Sequence, residues 1–355
     1  MPRPIDLTAW VEGVWYGDGV GARLGRALLA PAAWGYLRVA RHRGERAAAA
    51  AVETAPAVPA LSIGNLTVGG TGKTPVASWA VSRLQAAGAH PAILLRGYGD
   101  DEWRVHQQLT PGVPVLTGAD RRASGRAAEA RGCDCVVMDD AFQHRQAPRV
   151  ADWVLVSADR WPAVARVLPQ GPFREPLAAL RRASAVVITI KAAGEGAVEV
   201  VHSAVRAVAP AVPVAVLQLR MDGVRHAGGR LPASAEAPSL STLGPVLVVS
   251  AIGNPEAFER QLESAGVVIH CRERFRDHHP FRDDEVDRLV QLGRGCHGVV
   301  CTLKDAVKLA PRWPATAVPL WYVSQTVQVV SGREVLDGDI ARLLAARRGP
   351  VPTAG

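Results

Sequence analysis

The chain predicts an α/β fold: a parallel sheet with intervening helices, followed by a second, smaller α/β domain. Three observations carry that reading. Apolar runs of strand length recur at 60–63, 92–95, 135–138, 153–156, 185–190, 246–250 and 298–301, with helix-like stretches between several of them. Such alternation is the pattern of parallel βαβ units. A glycine-rich turn separates the first run from a helical stretch that reaches from Thr74 to about Ala87. The length of 355 residues is enough for about two domains with buried cores. Hydrophobic residues at 48% and charged residues at 21% exclude a disordered tail and a multi-span membrane protein.

From the N-terminus, Asp6 and Glu12 interrupt any basic start followed by an apolar core, so no secretory signal peptide is expected. Residues 20–46 mix apolar bulk with positive charge. Leu28, Leu29, Trp34, Tyr36 and Leu37, with Trp15 and Tyr16 just before, stand among Arg23, Arg26, Arg38, Arg41, Arg43 and Arg46. The longest uncharged run, Ala27–Leu37, is about half of the ~20 apolar residues a membrane-spanning helix needs. The mixture suits a helix broken near Pro31 and lying in a membrane interface, its arginines toward acidic headgroups. It equally suits a surface helix packing its apolar face on the domain. Residues 47–59 read as a helix end and a proline-containing connector. The pattern loosens at 191–245, with strand-like pieces at 213–219 and 223–226, and the last residues read as a frayed tail. The expected division is 1–46 as an interfacial helical segment, 47–215 and 216–346 as the two domains, and 347–355 as tail.

Lys and Arg total 41 against 33 Asp and Glu, a net charge of +8. The pI near 9.7 calls for an anionic partner: a nucleotide, a nucleic acid, a phosphorylated lipid or an anionic membrane. The five cysteines are odd in number, and Cys133-Asp134-Cys135 lacks the CxxC spacing of a zinc site, so reduced thiols are expected.

The sharpest local signal is Thr67-Val68-Gly69-Gly70-Thr71-Gly72-Lys73-Thr74, after a strand and before a helix. Glycines let the backbone turn tightly and aim its N–H groups at phosphate oxygens, and the helix N-terminus adds partial positive charge. In such a loop Lys73 reaches the β- and γ-phosphates and the Thr74 hydroxyl ligates Mg²⁺. The pattern is GxxxxGK[ST] with Thr67 at the first glycine. A second element should supply a carboxylate to the metal from a strand end. Cys135-Val136-Val137-Met138 leads into Asp139-Asp140, and two adjacent acids there call for a cation. Thr302-Leu303-Lys304-Asp305 lacks the spacing of a guanine-reading NKxD element, which weighs against a GTP switch.

Further strings complete a resemblance. Ser62 to Pro75, Arg96-Gly97-Tyr98-Gly99, Asp139 to Arg145, Leu168 to Pro176, Ala251 to Pro255, Asp277-His278-His279-Pro280-Phe281 and Lys304 to Lys308 are similar, in order, to the tetraacyldisaccharide 4′-kinase family, the lipid A kinases of Gram-negative bacteria. That family also carries Thr at the position of Thr67. The resemblance implies a RecA-like P-loop domain, a smaller C-terminal α/β domain and a two-stranded linker, with the 213–226 region as one strand pair of it. It implies transfer of the γ-phosphoryl of ATP, with Mg²⁺, to the 4′-hydroxyl of an acylated glucosamine disaccharide 1-phosphate. The enzyme would be peripheral, on the anionic cytoplasmic face of the inner membrane. No nucleic-acid module and no obligate protein partner is evident.

By the same resemblance, Lys73 and the loop hold the phosphates, and Thr74 with Asp139 or Asp140 holds Mg²⁺. Gln143, His144, Arg121 and Arg174 belong to the site. The family's Gly-Asp-Glu string, here read as Asp101-Glu102, supplies the proton acceptor, supported by His278 from the second domain. Because the two would come from different domains, closure should bring them together. Many members carry a longer insertion between Arg-Gly-Tyr-Gly and Gly-Asp-Glu. Gly99 here runs straight into Asp100-Asp101-Glu102, which leaves Asp100 and Asp101 both open as the base. The competing readings are a P-loop kinase of a soluble sugar or nucleotide, and a non-catalytic ATP-binding regulatory protein.

Overall fold

The structure, a computed structural model, describes residues 7–50, 58–97, 101–230 and 238–347. Its residues divide into two compact units, the first from 1–96, 112–218 and 328–355, the second from 97–111 and 219–327.

In the first unit the strands are β1 (Ala60–Asn65), β2 (Pro91–Leu95), β3 (Val115–Thr117), β4 (Cys135–Asp139), β5 (Ala151–Ser157), β6 (Ala185–Ile190) and the start of β7 (Val214–Gly228). Their order is β3-β2-β4-β1-β5-β6-β7, every pair parallel. Strands β1, β2 and β4 are buried along their whole length, because helices cover both faces of such a sheet. That is why they read as unbroken apolar runs. Helices α3 (Lys73–Ala86), α5 (Arg121–Glu129) and α6 (Glu195–Val208) supply the cover. One core cluster gathers Phe142, Val154, Phe173, Ile188 and Val201, and another Leu94, Val136, Met138 and Ala128.

Helices α1 (Leu7–Tyr16) and α2 (Val20–Ala50) also belong to this unit. Helix α2 is not broken at Pro31 as expected but runs through it. Pro31 and Ala27, whose carbonyl Pro31 cannot serve, both lie on the exposed side, where water can satisfy that group. Arg26 donates to the carbonyls of Val14 and Gly17 at 2.6 and 2.8 Å, capping the end of α1. The hairpin is tied to residues 169–174: Trp15 Nε1 donates to the Pro169 carbonyl at 2.9 Å, Gln170 Nε2 to Arg26 at 3.0 Å, and the Tyr36 hydroxyl to Arg174 at 2.9 Å.

In the second unit the order is β7-β11-β10-β8-β9, with β8 (Val246–Ser250), β9 (Ile269–Arg274), β10 (Val299–Thr302) and β11 (Leu320–Ser331). The pairs β11–β10, β10–β8 and β8–β9 are parallel. Helices α4 (Glu102–Leu109), α7 (Pro255–Ser264), α8 (Asp283–Gly293) and α9 (Leu303–Leu309) belong here, around a core of Leu247, Phe281, Leu289, Val299 and Leu320. Two strands, β7 and β11, run from one unit into the other, and the chain also passes between them at 96–97 and 111–112. The 213–226 region is therefore not a strand pair by itself. It is one 15-residue strand whose neighbour is β11, and Arg220 and Asp222, in the gap between the two pieces, break only its apolar pattern.

The units differ from the continuous segments expected. Residues 97–111 group with the C-terminal unit because α4 packs there. Helix α10 (Arg333–Ala345) returns to the first unit, where Asp339 accepts from Trp153 Nε1 at 2.8 Å and Ser184 Oγ at 2.7 Å. Arg347, expected to open the tail, pairs with Asp134 at 2.8 Å; residues 348–355 lie outside the described residues.

Candidate active site

The phosphate loop forms where sequence reasoning put it. Gly69 and Gly72 take left-handed φ values of 104° and 85°, which L side chains rarely adopt. Gly72 is also the N-cap of α3, so no side chain of its own competes for the first helical N–H groups. Asn65 Nδ2, at the end of β1, donates to Thr71 Oγ1 at 3.1 Å and the Gly69 carbonyl at 3.4 Å. Thr67 is not left-handed and pairs in an antiparallel bridge with Phe173, which is why a β-branched residue is accommodated where a glycine is usual. Flanking bonds from Val68 N to Pro172 at 2.9 Å and from Arg174 N to Leu66 at 2.8 Å complete that brace.

The carboxylates stand beside the loop. Asp140 N donates to the Ile63 carbonyl at 2.9 Å, seating the turn after β4 against β1. A Cβ on Gly64 would fall 2.6 Å from Phe142, so the close approach requires glycine. Asp140 Oδ1 lies 3.6 Å from Lys73 Nζ, and Arg174 Nη1 lies 2.9 and 3.0 Å from its two oxygens. Partial burial pushes the Asp140 carboxyl up, but the Lys73 ammonium and Arg174 guanidinium outweigh it and hold its pKa below the ordinary value. Gln143 bridges the same group, donating to the Asn65 carbonyl at 3.0 Å and accepting from Arg174 at 3.5 Å. Asp139 is buried, and its carbonyl accepts from Arg121 Nη2 at 3.2 Å. Arg121, His144 and Arg122 line a cavity of about 240 Å³. Burial, then Arg121, Arg96 and Arg149, lower the His144 pKa, so its imidazole is neutral at pH 7.

Thr74, Asp139 and Asp140 offer oxygen donors of the hard type Mg²⁺ prefers, and two carboxylates suit an ion that keeps phosphate and water in its shell. Among the described residues no group of three or more acidic, histidine or cysteine side chains is placed to hold a metal ion.

A second constellation lies wholly in the second unit. Asp101, the N-cap residue of α4, is buried, and its Oδ2 is 3.5 Å from His278 Nδ1 and 3.2 Å from Lys308 Nζ. His278 holds a left-handed φ of 60° and its Nε2 is 3.9 Å from Asp277. The hydrogen bond to His278, against an opposing burial effect and aided by Lys308, holds the Asp101 pKa far below the carboxylate range. The same bond raises the His278 pKa against burial, aided by Asp277. The expectation that these two residues come from different domains and meet on closure is corrected: residues 97–111 fold with the second unit, so the pair is already formed. Glu102 opens α4 beside it, while Asp100 lies outside the described residues.

Sequence reasoning missed three contacts. Lys308 touches Asp101 across about two hundred residues of chain, Lys191 Nζ donates to the Gly70 carbonyl at 3.2 Å, and Thr189 Oγ1 donates to the Thr71 carbonyl at 2.9 Å. Lys308 sits in a string already noted, yet no local pattern links it to Asp101.

A phosphate loop opening a helix on a parallel sheet, with strand-end carboxylates beside its lysine, defines a P-loop phosphate-binding protein of the nucleoside-triphosphate class. The model of one family, tetraacyldisaccharide-1-P 4′-kinase, matches residues 25–345. The chain belongs to the tetraacyldisaccharide 4′-kinase family. It is 36% identical over 318 residues to the tetraacyldisaccharide 4′-kinase of Anaeromyxobacter dehalogenans, covering 81% of this chain and 82% of that one. Against the Halorhodospira halophila protein of the same name it is 33% identical over 365 residues, covering 96% and 99%. In fold it resembles the crystal structure of LpxK from Aquifex aeolicus in complex with ATP, at a TM-score of 0.68 and 23% identity, over 90% of this chain and 99% of that one. The soluble-substrate and regulatory alternatives are not favoured.

Proposed function

We infer that the chain is an ATP-dependent kinase that phosphorylates the 4′-hydroxyl of a tetraacyldisaccharide 1-phosphate in lipid A biosynthesis. The observation that carries this is the phosphate loop with Lys73 held 3.6 Å from Asp140, in a chain of that family. Lys73 exchanges its Asp140 contact for the β- and γ-phosphates, and the N–H groups around Gly70 and Gly72 hold the phosphate oxygens. Thr74, Asp139 and Asp140 would hold Mg²⁺, which would neutralise phosphate charge when bound. Arg174 and Gln143 keep Asp140 in place, Arg121 anchors the end of β4, and neutral His144 offers hydrogen bonds rather than charge. Asp101 takes the proton of the attacking hydroxyl as the new O–P bond forms and ADP leaves; His278 fixes its orientation, and Glu102 adjoins it.

The substrate's acyl chains require an interfacial enzyme, and helix α2 fits that need. Leu24 is 61% exposed, Leu28 80% and Trp34 63%, and Arg38 lies over the Trp34 ring at 4.9 Å. Ala33 is buried and Leu29, Tyr36 and Leu37 are half-buried, so the helix packs part of its apolar surface and leaves Leu24, Leu28 and Trp34 outside. Among the described residues no helix is long and apolar enough to cross a membrane. We therefore assign the protein a peripheral place on the anionic cytoplasmic face of the inner membrane. Leu24→Glu/Leu28→Glu/Trp34→Glu is expected to weaken sedimentation with phosphatidylglycerol vesicles at least tenfold (about 1.5–3 kcal/mol per apolar side chain withdrawn from lipid). Undiminished sedimentation would sink the anchor.

The activity is tested with labelled ATP, Mg²⁺ and a detergent-solubilised acylated disaccharide monophosphate, followed by product mass. A gain of one phosphate at the 4′ position is expected. ATP binding without any product would overturn the reading.

A further inference from the structure

Helix α9 controls both halves of the Asp101–His278 pair. On one side, Lys308 Nζ reaches Asp101 Oδ2 at 3.2 Å and donates to the His279 carbonyl, also at 3.2 Å, with the ammonium 6.0 Å from the centre of the Phe281 ring. Its side chain is only 12% exposed, so both contacts are sheltered from competing water. On the other side, Asp305 is fully buried one turn earlier on the same helix. Its Oδ2 accepts from Thr302 Oγ1 at 2.7 Å and from Ala251 N at 3.3 Å. The Ala251 carbonyl in turn accepts from His278 N at 3.2 Å. His278 needs such support, because a left-handed backbone is unfavourable for a non-glycine residue and persists only where neighbours over-determine it.

We propose that Lys308 is a positioning residue for the reaction, clamping the Asp101 carboxylate between His278 and the turn at His279, with Asp305 fixing the His278 backbone from the same helix. The proposal rests on Asp101 as the proton acceptor. A carboxylate with one oxygen drawn by two partners cannot rotate freely, and a base must be held within a few tenths of an ångström of its productive place. The clamp has an electrostatic side as well. The charged groups around the pair are Lys308 and His278 on Asp101, and Asp277 and Lys304 on His278. Deleting the Lys308 cation removes one of the influences that keep Asp101 ionised, so its proton affinity rises.

The test compares the wild-type enzyme with Lys308→Met and Lys308→Arg. Lys308→Met is expected to lower kcat at least tenfold (a fraction of the roughly 10²–10⁴ that a positioned base contributes), with KM for ATP unchanged. The acid limb of its kcat profile moves to higher pH, since a less stabilised carboxylate protonates sooner. Lys308→Arg keeps the charge and returns the acid limb toward the wild-type position. NMR titration of the His278 ring gives a readout independent of turnover: its pKa rises in Lys308→Met, where Asp101 has lost its second cation. A variant of normal kcat, unshifted acid limb and unshifted His278 titration overturns the clamp, as does one that only melts at lower temperature. A wild-type protein that never modifies the disaccharide sinks the parent reading instead, while the His278 titration still reports on the clamp.

Discussion

Lys73→Ala is expected to abolish phosphoryl transfer while leaving the fold intact. The Lys73 ammonium is one of two cations on Asp140, and removing it leaves that carboxylate paired with Arg174 at 2.9 Å. No buried charge is orphaned, and the loop keeps its glycine turns and its Asn65 hydrogen bonds. What disappears, on the proposed mechanism, is the positive charge that meets the γ-phosphoryl as it is transferred. Removing one such stabilising donor costs about 10²–10³ in rate, and a full charge at phosphate is expected to cost more. Turnover of labelled ATP, with circular dichroism as the control for folding, measures both sides. Normal turnover would remove the central claim.

Asp101→Asn is the second large effect. The amide keeps the size of the carboxylate and can still accept from His278, but it has no useful affinity for a proton. Turnover is expected to fall by about 10²–10⁴, the usual contribution of a positioned general base. ATP affinity should change little, because the phosphate loop draws on residues of the other unit. The variant also removes the negative charge that faces Lys308 at 3.2 Å, so a modest loss of stability accompanies the kinetic effect. An unchanged rate would move the base to Asp100 or elsewhere.

Much of this could be read from the chain because it is written locally. Strands β1, β2 and β4 are buried on both faces, so each reads as an apolar run, and the phosphate loop concentrates its chemistry into eight consecutive residues. The turn at Asp139-Asp140 follows its strand at the spacing a metal-binding element needs. What stayed hidden depends on long-range contacts. Residues 97–111 carry no signal of the unit they join, and the ties of α10 to Trp153 and Ser184 span 186 and 155 residues. Arg220 and Asp222 made one long strand look like two short ones. Pro31 looked like a break because the sequence does not say that its missing hydrogen bond faces outward. The contact between Asp101 and His278 was anticipated by family resemblance and not by any local pattern, and the way they meet was misjudged for the same reason.

The short stretch 169–174 touches two things at once. Its Pro169, Gln170 and Arg174 hold the α1–α2 hairpin, while Pro172, Phe173 and Arg174 brace Thr67 and its neighbours. One strap thus leads directly from the greasy surface of the molecule to the seat of the nucleotide, without passing through the sheet. If the proposed vesicle attachment and ATP binding prove coupled, this strap is a direct chain route between them, and by thermodynamic reciprocity each would alter the other by the same factor.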